Sequence, residues 1–99
     1  MALNQFTLTA ALVSKDAIRF TPAGLPVVYC QLDYVGEVME VERPRKIQMS
    51  VEAIAIGPVH QVLAQMDLGT QAVFTGFMAP KTIRNQRLVF HINHIQLQS

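Results

Sequence analysis

Residues 46–78 read KIQMSVEAIAIGPVHQVLAQMDLGTQAVFTGFM, and the changes of period inside this stretch decide the class of fold. Beginning at about Lys46, Ile47, Met49 and Val51 are apolar in alternation, as in a half-buried strand. Ile54 and Ile56 then fall on the other parity, a one-residue slip that predicts a β-bulge bending the strand around a corner. Between Gly57 and Gly69 the spacing becomes helical. Pro58 stands where a first turn tolerates it, Val59, Val62, Leu63 and Met66 follow the i, i+3, i+4, i+7 rule, and Gly69 is placed to end the segment. The strand period returns from Gln71 to Met78. One short amphipathic helix is therefore expected between two strands.

Working outward, Phe6, Leu8, Ala10 and Leu12 alternate with their neighbours and predict a first strand over Phe6–Val13. The following DAIRFTPAGLP, with its Pro and Gly, reads as a loop. A second strand is expected over Pro26–Val35, with Val28, Cys30, Leu32 and Tyr34 on one face and Tyr29, Gln31 and Asp33 on the other. The segment GEVMEVERPR reads as a mobile hairpin connection before the third strand. Past Met78, APKTIRNQR is turn-prone, and a fifth strand covers Leu88–Leu97, with a change of parity that predicts a bulge near Asn93. Three strands, one helix and two strands form the element order of an all-β, five-stranded Greek-key barrel of the oligonucleotide-binding (OB) type, whose helix lies between strands three and four. A sandwich would need about seven strands.

A chain of 99 residues has room for one domain and one core, here residues 1–99. With 51% hydrophobic and 15% charged residues it is not a disordered sequence, and the apolar excess suggests that a second subunit covers part of it, so a homodimer is expected. MALNQFTLTA lacks the basic start and long apolar run of a secretory signal, and Cys30 is the sole cysteine; both fit a reducing, cytoplasmic location with no membrane span. The net charge of +1 hides an asymmetry. Through Asp67 there are five basic and seven acidic residues, whereas beyond it come Lys81, Arg84 and Arg87 with no Asp or Glu. A cationic final third suits a polyanionic ligand.

The piece IRFTPAGLPVVYCQLDY, with the opening LNQFTLTAALV and the later LGTQAVFTGF, resembles bacterial single-stranded DNA-binding proteins. That family shows an Asn before the first strand, an aromatic followed by Thr-Pro-Ser-Gly in the first loop, and a Gly in the fourth strand; Asn4, Phe20 with Thr21–Gly24, and Gly76 correspond. Within the superfamily the chain is most similar to the primosomal, replication-restart branch (primosomal replication protein N). QMSVEAIAIG looks like that branch, and the sequence ends at HINHIQLQS where the general proteins continue into a Gly/Pro/Gln-rich linker with an acidic tip. The resemblance implies a non-catalytic, homodimeric protein that binds single-stranded DNA together with a restart helicase and other primosome proteins.

Single strands are held by cations along the phosphates and by flat side chains under the bases. Two basic windows fall in expected loops bordering the binding face of such a barrel: Arg43, Arg45 and Lys46, and Lys81, Arg84 and Arg87. The second has no acids around it, whereas Glu37, Glu40 and Glu42 adjoin the first; solvation alone also explains charged loops. Lys15 and Arg19, after the first strand, complete the cationic set. By parity Phe6, Tyr34, Phe74 and Phe90 belong to the core, leaving Tyr29 and Phe77 to stack on bases or to line a dimer interface, with His91 as a further donor. The absence of Trp, and Lys46 and Ile47 where the family is aromatic, predict a more electrostatic mode of binding. His91 and His94 are expected on opposite strand faces unless the bulge intervenes, no cofactor or metal site is expected, and no motif for catalysis is present. The competing reading is an OB-fold protein-interaction adaptor with little intrinsic nucleic-acid binding; an RNA-binding cold-shock barrel would call for an aromatic-rich strand that this sequence lacks.

Overall fold

The computed structural model describes residues 2–98. The strands are β1 (Phe6–Lys15), β2 (Arg19–Phe20), β3 (Pro26–Glu40), β4 (Arg43–Ile56), β5 (Gln71–Pro80) and β6 (Leu88–Leu97), with a helical turn at Gly57–Val59 leading into α1 (His60–Gln65). The sheet runs β1-β5-β6-β4-β3, and β1 also pairs with β3, which closes a five-stranded barrel of the OB type. β4 and β6 pair in parallel; the other ladders are antiparallel. The two-residue β2 pairs with Val27 and Pro26, so the expected first loop carries a scrap of strand.

Inward-facing residues of every long strand meet in one core, in which Leu12, Val28, Leu32, Phe74 and Phe90 are fully buried. α1 contributes Leu63 and Met66 to that core, and Val59 packs against it. Burial of Leu63 stabilises this attachment by about 1.5–3 kcal/mol. Val62 remains exposed, so three of the four helically spaced residues face the barrel.

The expected bulge in the third long strand is absent. The β3–β4 ladder keeps one register from Val27↔Ile56 to Glu40↔Arg43. Ala53 and Ala55, in phase with Met49 and Val51, face the core, whereas Ile54 joins Val27 and Val89 in a smaller apolar cluster on the outer face. Large side chains outside and small ones inside imitated a change of phase. The expected bulge at Asn93 is present, since β5–β6 pairing shifts from Thr75↔His94 to Gly76↔Ile92. A second bulge, which the sequence did not signal, falls at Val13 between Leu12↔Leu32 and Ser14↔Gln31.

The segment read as a mobile connection is a regular hairpin arm. Val41 and Glu42 form its two-residue turn, both with positive φ (51° and 61°). Such turns usually carry Asn-Gly or Asp-Gly, and neither is present to announce this one. The arm lengthens the molecule. Its Cα radius of gyration is 14.3 Å, against about 13 Å for a compact domain of this size. Two aromatic assignments also change: Phe6 is 48% exposed and Tyr34 only half-buried, because both lie where the strands leave the closed part of the barrel.

Candidate nucleic-acid interface

Strand register assembles the site. On the outer face Phe77 of β5 lies opposite His91 of β6, His91 beside Ile54 of β4, and Ile54 opposite Tyr29 of β3. Four side chains from four strands thus form one row across the barrel. The Phe77 and His91 rings stack with centroids 4.9 Å apart and planes 14° from parallel. Burial pushes the His91 pKa below its usual value, which favours the uncharged ring. Tyr29 packs against Val27, Ile54 and Val89, which fix its base while part of the ring stays open.

Lys81 and Arg87 stand at the two ends of the β5–β6 connection, joined by a hydrogen bond from the Lys81 N–H to the Arg87 carbonyl at 2.8 Å. Between them the loop caps itself: Asn85 N–H donates to Thr82 Oγ1 at 2.8 Å, and Arg87 N–H to Asn85 Oδ1 at 3.1 Å. Lys81 Nζ sits 5.5 Å from the centroid of the Tyr29 ring, within cation–π range. Two shallow hollows flank Tyr29. One is lined by Arg19, Asp16, Gln31 and Glu52, the other by Thr21, Ile54, Val89 and His91, and Tyr29 and Lys81 border both.

The cationic connection is not left uncompensated, as its local sequence suggested. Glu52, on the outer face of β4 opposite Gln31, pairs with Lys81 through Oε2 at 2.9 Å and with Arg87 through Oε1 at 2.8 Å. Its side chain is only 17% exposed. The Lys81 hydrogen bond, with the Arg87 charge, holds its carboxyl below the usual carboxylate range against the opposing effect of burial. Glu52 is about thirty residues away in sequence, which is why no local reading could attach it to this loop.

Of the residues singled out in the sequence, the barrel gathers Arg19, Tyr29, Phe77, Lys81, Arg87 and His91 on or beside one face. Arg43, Arg45 and Lys46 lie on a strand of the hairpin arm, not in a loop; Arg45 is paired with Glu40 at 2.9 Å, and Lys46 stands opposite Glu37. Arg84 is near the exposed tip of the β5–β6 connection. Lys15 turns to the helix, where its ammonium donates to the Ala64 and Met66 carbonyls, each at 2.7 Å. Cys30 is buried beneath the first hollow, and burial, with the Asp16 charge, pushes its thiol up to about 12. Ile54 and Glu52 are site residues that the sequence reading did not select.

A family model described as another single-strand binding protein family matches residues 4–94. The replication restart protein PriB of Bordetella pertussis is 33% identical over 90 residues, covering 91% of this chain and 84% of the relative. The chain belongs to the PriB group of single-strand binding proteins. The PriB of Nitrosomonas europaea is 28% identical over 95% of this chain and 87% of its own. The solved PriB of Ralstonia solanacearum superposes with a TM-score of 0.90 at 37% identity, covering 99% of this chain and all of that one. The SSB domain of a Synechococcus protein, 16% identical with a TM-score of 0.73 over 97% of both chains, shares the fold.

Residues that carry the resemblance have physical roles in this PriB-group barrel. Asn4 donates from Nδ2 to the Met78 carbonyl (2.8 Å) and accepts the Met78 N–H (3.1 Å), extending the β1–β5 ladder with a side-chain amide. Thr21 closes the first loop by accepting the Leu25 N–H at Oγ1 (3.1 Å), and Gly24 supplies a φ of +88°. At Gly76, paired with Phe6 on one side and Ile92 on the other, a Cβ would fall on the His91 carbonyl.

Proposed function

We propose that this protein is a non-catalytic, cytoplasmic single-stranded DNA-binding accessory of replication restart, which as a homodimer stabilises a restart helicase on DNA at stalled forks. The observation that carries the reading is the transverse row Phe77–His91–Ile54–Tyr29 bordered by Lys81, Arg87 and Arg19, flat and apolar in the middle and cationic at the margin. Bases lie along the row, with Tyr29 as the main stacking surface. Phosphates run past the cations, with Arg84 and the arm residues Arg43, Arg45 and Lys46 as outlying contacts. Exposed Phe6, Phe20, Val35, Met39 and Val41 are the kind of apolar surface that a second subunit or a protein partner covers.

Polarisation titration of a fluorescent oligo(dT) at several ionic strengths tests this reading. Lys81→Ala with Arg87→Ala is expected to weaken binding and to flatten the log–log salt slope by at most about 1.4, since each phosphate neutralised on a single strand contributes up to about 0.7. Unchanged binding at low salt would sink the assignment. It would instead favour the adaptor reading, which the neutralisation of both cations by Glu52 supports.

A further inference from the structure

We propose that Glu52 is a built-in competitor for the DNA phosphates: in the free protein its carboxylate occupies the place a phosphate takes between Lys81 and Arg87, and DNA must displace it. The proposal rests on the single-stranded DNA-binding reading above and deepens it. Glu52 stands one step along the outer face of β4 from Ile54, and so beside the middle of the transverse row. A carboxylate at the heart of a polyanion site repels its ligand unless it is neutralised. Here it is neutralised by the two cations that the ligand needs, one on each oxygen, in the same two-pronged manner in which they would grip two phosphate oxygens.

Geometry sets the order of events. Lys81 reaches both Glu52 and the Tyr29 ring, so a base that stacks on Tyr29 arrives where Lys81 now sits, and Lys81 is free to follow only by leaving Glu52. Arg87, with a side chain 61% exposed, swings outward more easily than the half-buried Lys81 and is the first to change partner. Each phosphate gained on this face is then offset by an ion pair broken. The exchange keeps affinity low and makes the site reversible.

Replacing Glu52 by Gln keeps the shape and removes the charge. Two partly exposed ion pairs no longer have to be broken, which predicts about 3- to 10-fold tighter binding of fluorescent oligo(dT) at low salt. The salt slope steepens by up to about 1.4, since both cations now contribute fully. In the wild-type protein, the carbon-13 resonance of the Glu52 carboxylate is expected to move on saturation with oligo(dT), a readout that does not depend on the variant folding. Binding by E52Q equal to or weaker than wild type, or a Glu52 resonance unmoved at saturation, overturns the proposal and makes Glu52 a staple for the β5–β6 connection, with DNA binding intact. Failure of both proteins to bind oligo(dT) overturns the DNA-binding reading itself and the proposal with it.

Discussion

Replacing Lys15 by Met removes an ammonium while keeping an unbranched side chain of similar reach. In the wild-type protein that ammonium donates to the Ala64 and Met66 carbonyls at 2.7 Å each, at the end of a helix too short to satisfy its own last carbonyls. Hydrogen bonds from a charged donor are worth about 1.5–3 kcal/mol apiece when their partners are sealed from water. Three effects reduce the loss: the Lys15 site is only part-buried, water can reach the freed carbonyls, and Met avoids the cost of desolvating a charge. A net loss of about 1.5 kcal/mol remains, which at about 4–8 °C per kcal/mol lowers the melting temperature by roughly 6–12 °C. Urea unfolding followed by far-UV circular dichroism, with oligo(dT) titration of the same variant, checks both halves of the reasoning. Stability should fall with an unchanged m-value, and DNA affinity should stay within about twofold. A stability change below about 0.5 kcal/mol would refute the helix role, and a loss of affinity with stability intact would show that Lys15 serves the DNA instead.

Gly76→Ala places a Cβ against backbone, with the His91 carbonyl carbon only 2.8 Å away, and no rotamer relieves that clash. A destabilisation of at least about 3 kcal/mol is expected in the same unfolding assay, and a loss under about 1 kcal/mol would mean that β5 and β6 separate more easily than the barrel implies. For Glu52 the sign of the pH effect follows from its depressed folded-state pKa. Its stabilising contribution is present above the unfolded carboxylate value of about 4.3 and is lost as pH falls through the lower folded value. Wild type should therefore exceed E52Q in stability at neutral pH, and the two should converge as the solution is acidified. Parallel acid-unfolding curves would contradict the paired carboxylate.

The barrel was legible because its signals are local. Alternation in Phe6–Val13, Pro26–Val35 and Gln71–Met78, the helical spacing of Val59, Leu63 and Met66, and the parity change at Asn93 each depend on neighbours within a few residues, and each marks a real element or bulge. Local patterns also misled where they had two explanations. Ile54 and Ile56 looked like a phase change because the sequence cannot say that Ala53 and Ala55 are the residues facing inward. The hairpin turn at Val41-Glu42 is held by its long ladder, against the preference of both residues.

Short-range signals, periodicity and turn chemistry, were enough for the strand-rich class, the single helix, the succession of elements along the chain and the outward parity of Tyr29 and Phe77. Which charges meet is set by contacts that only the folded barrel makes. The partnership of Glu52 with Lys81 and Arg87, the turning of Lys15 to the helix, and the row from Phe77 to Tyr29 all join residues from different strands or distant loops. Ion pairs and cross-strand neighbours depend on strand order and register, which closing of the barrel sets and which no stretch of chain carries alone.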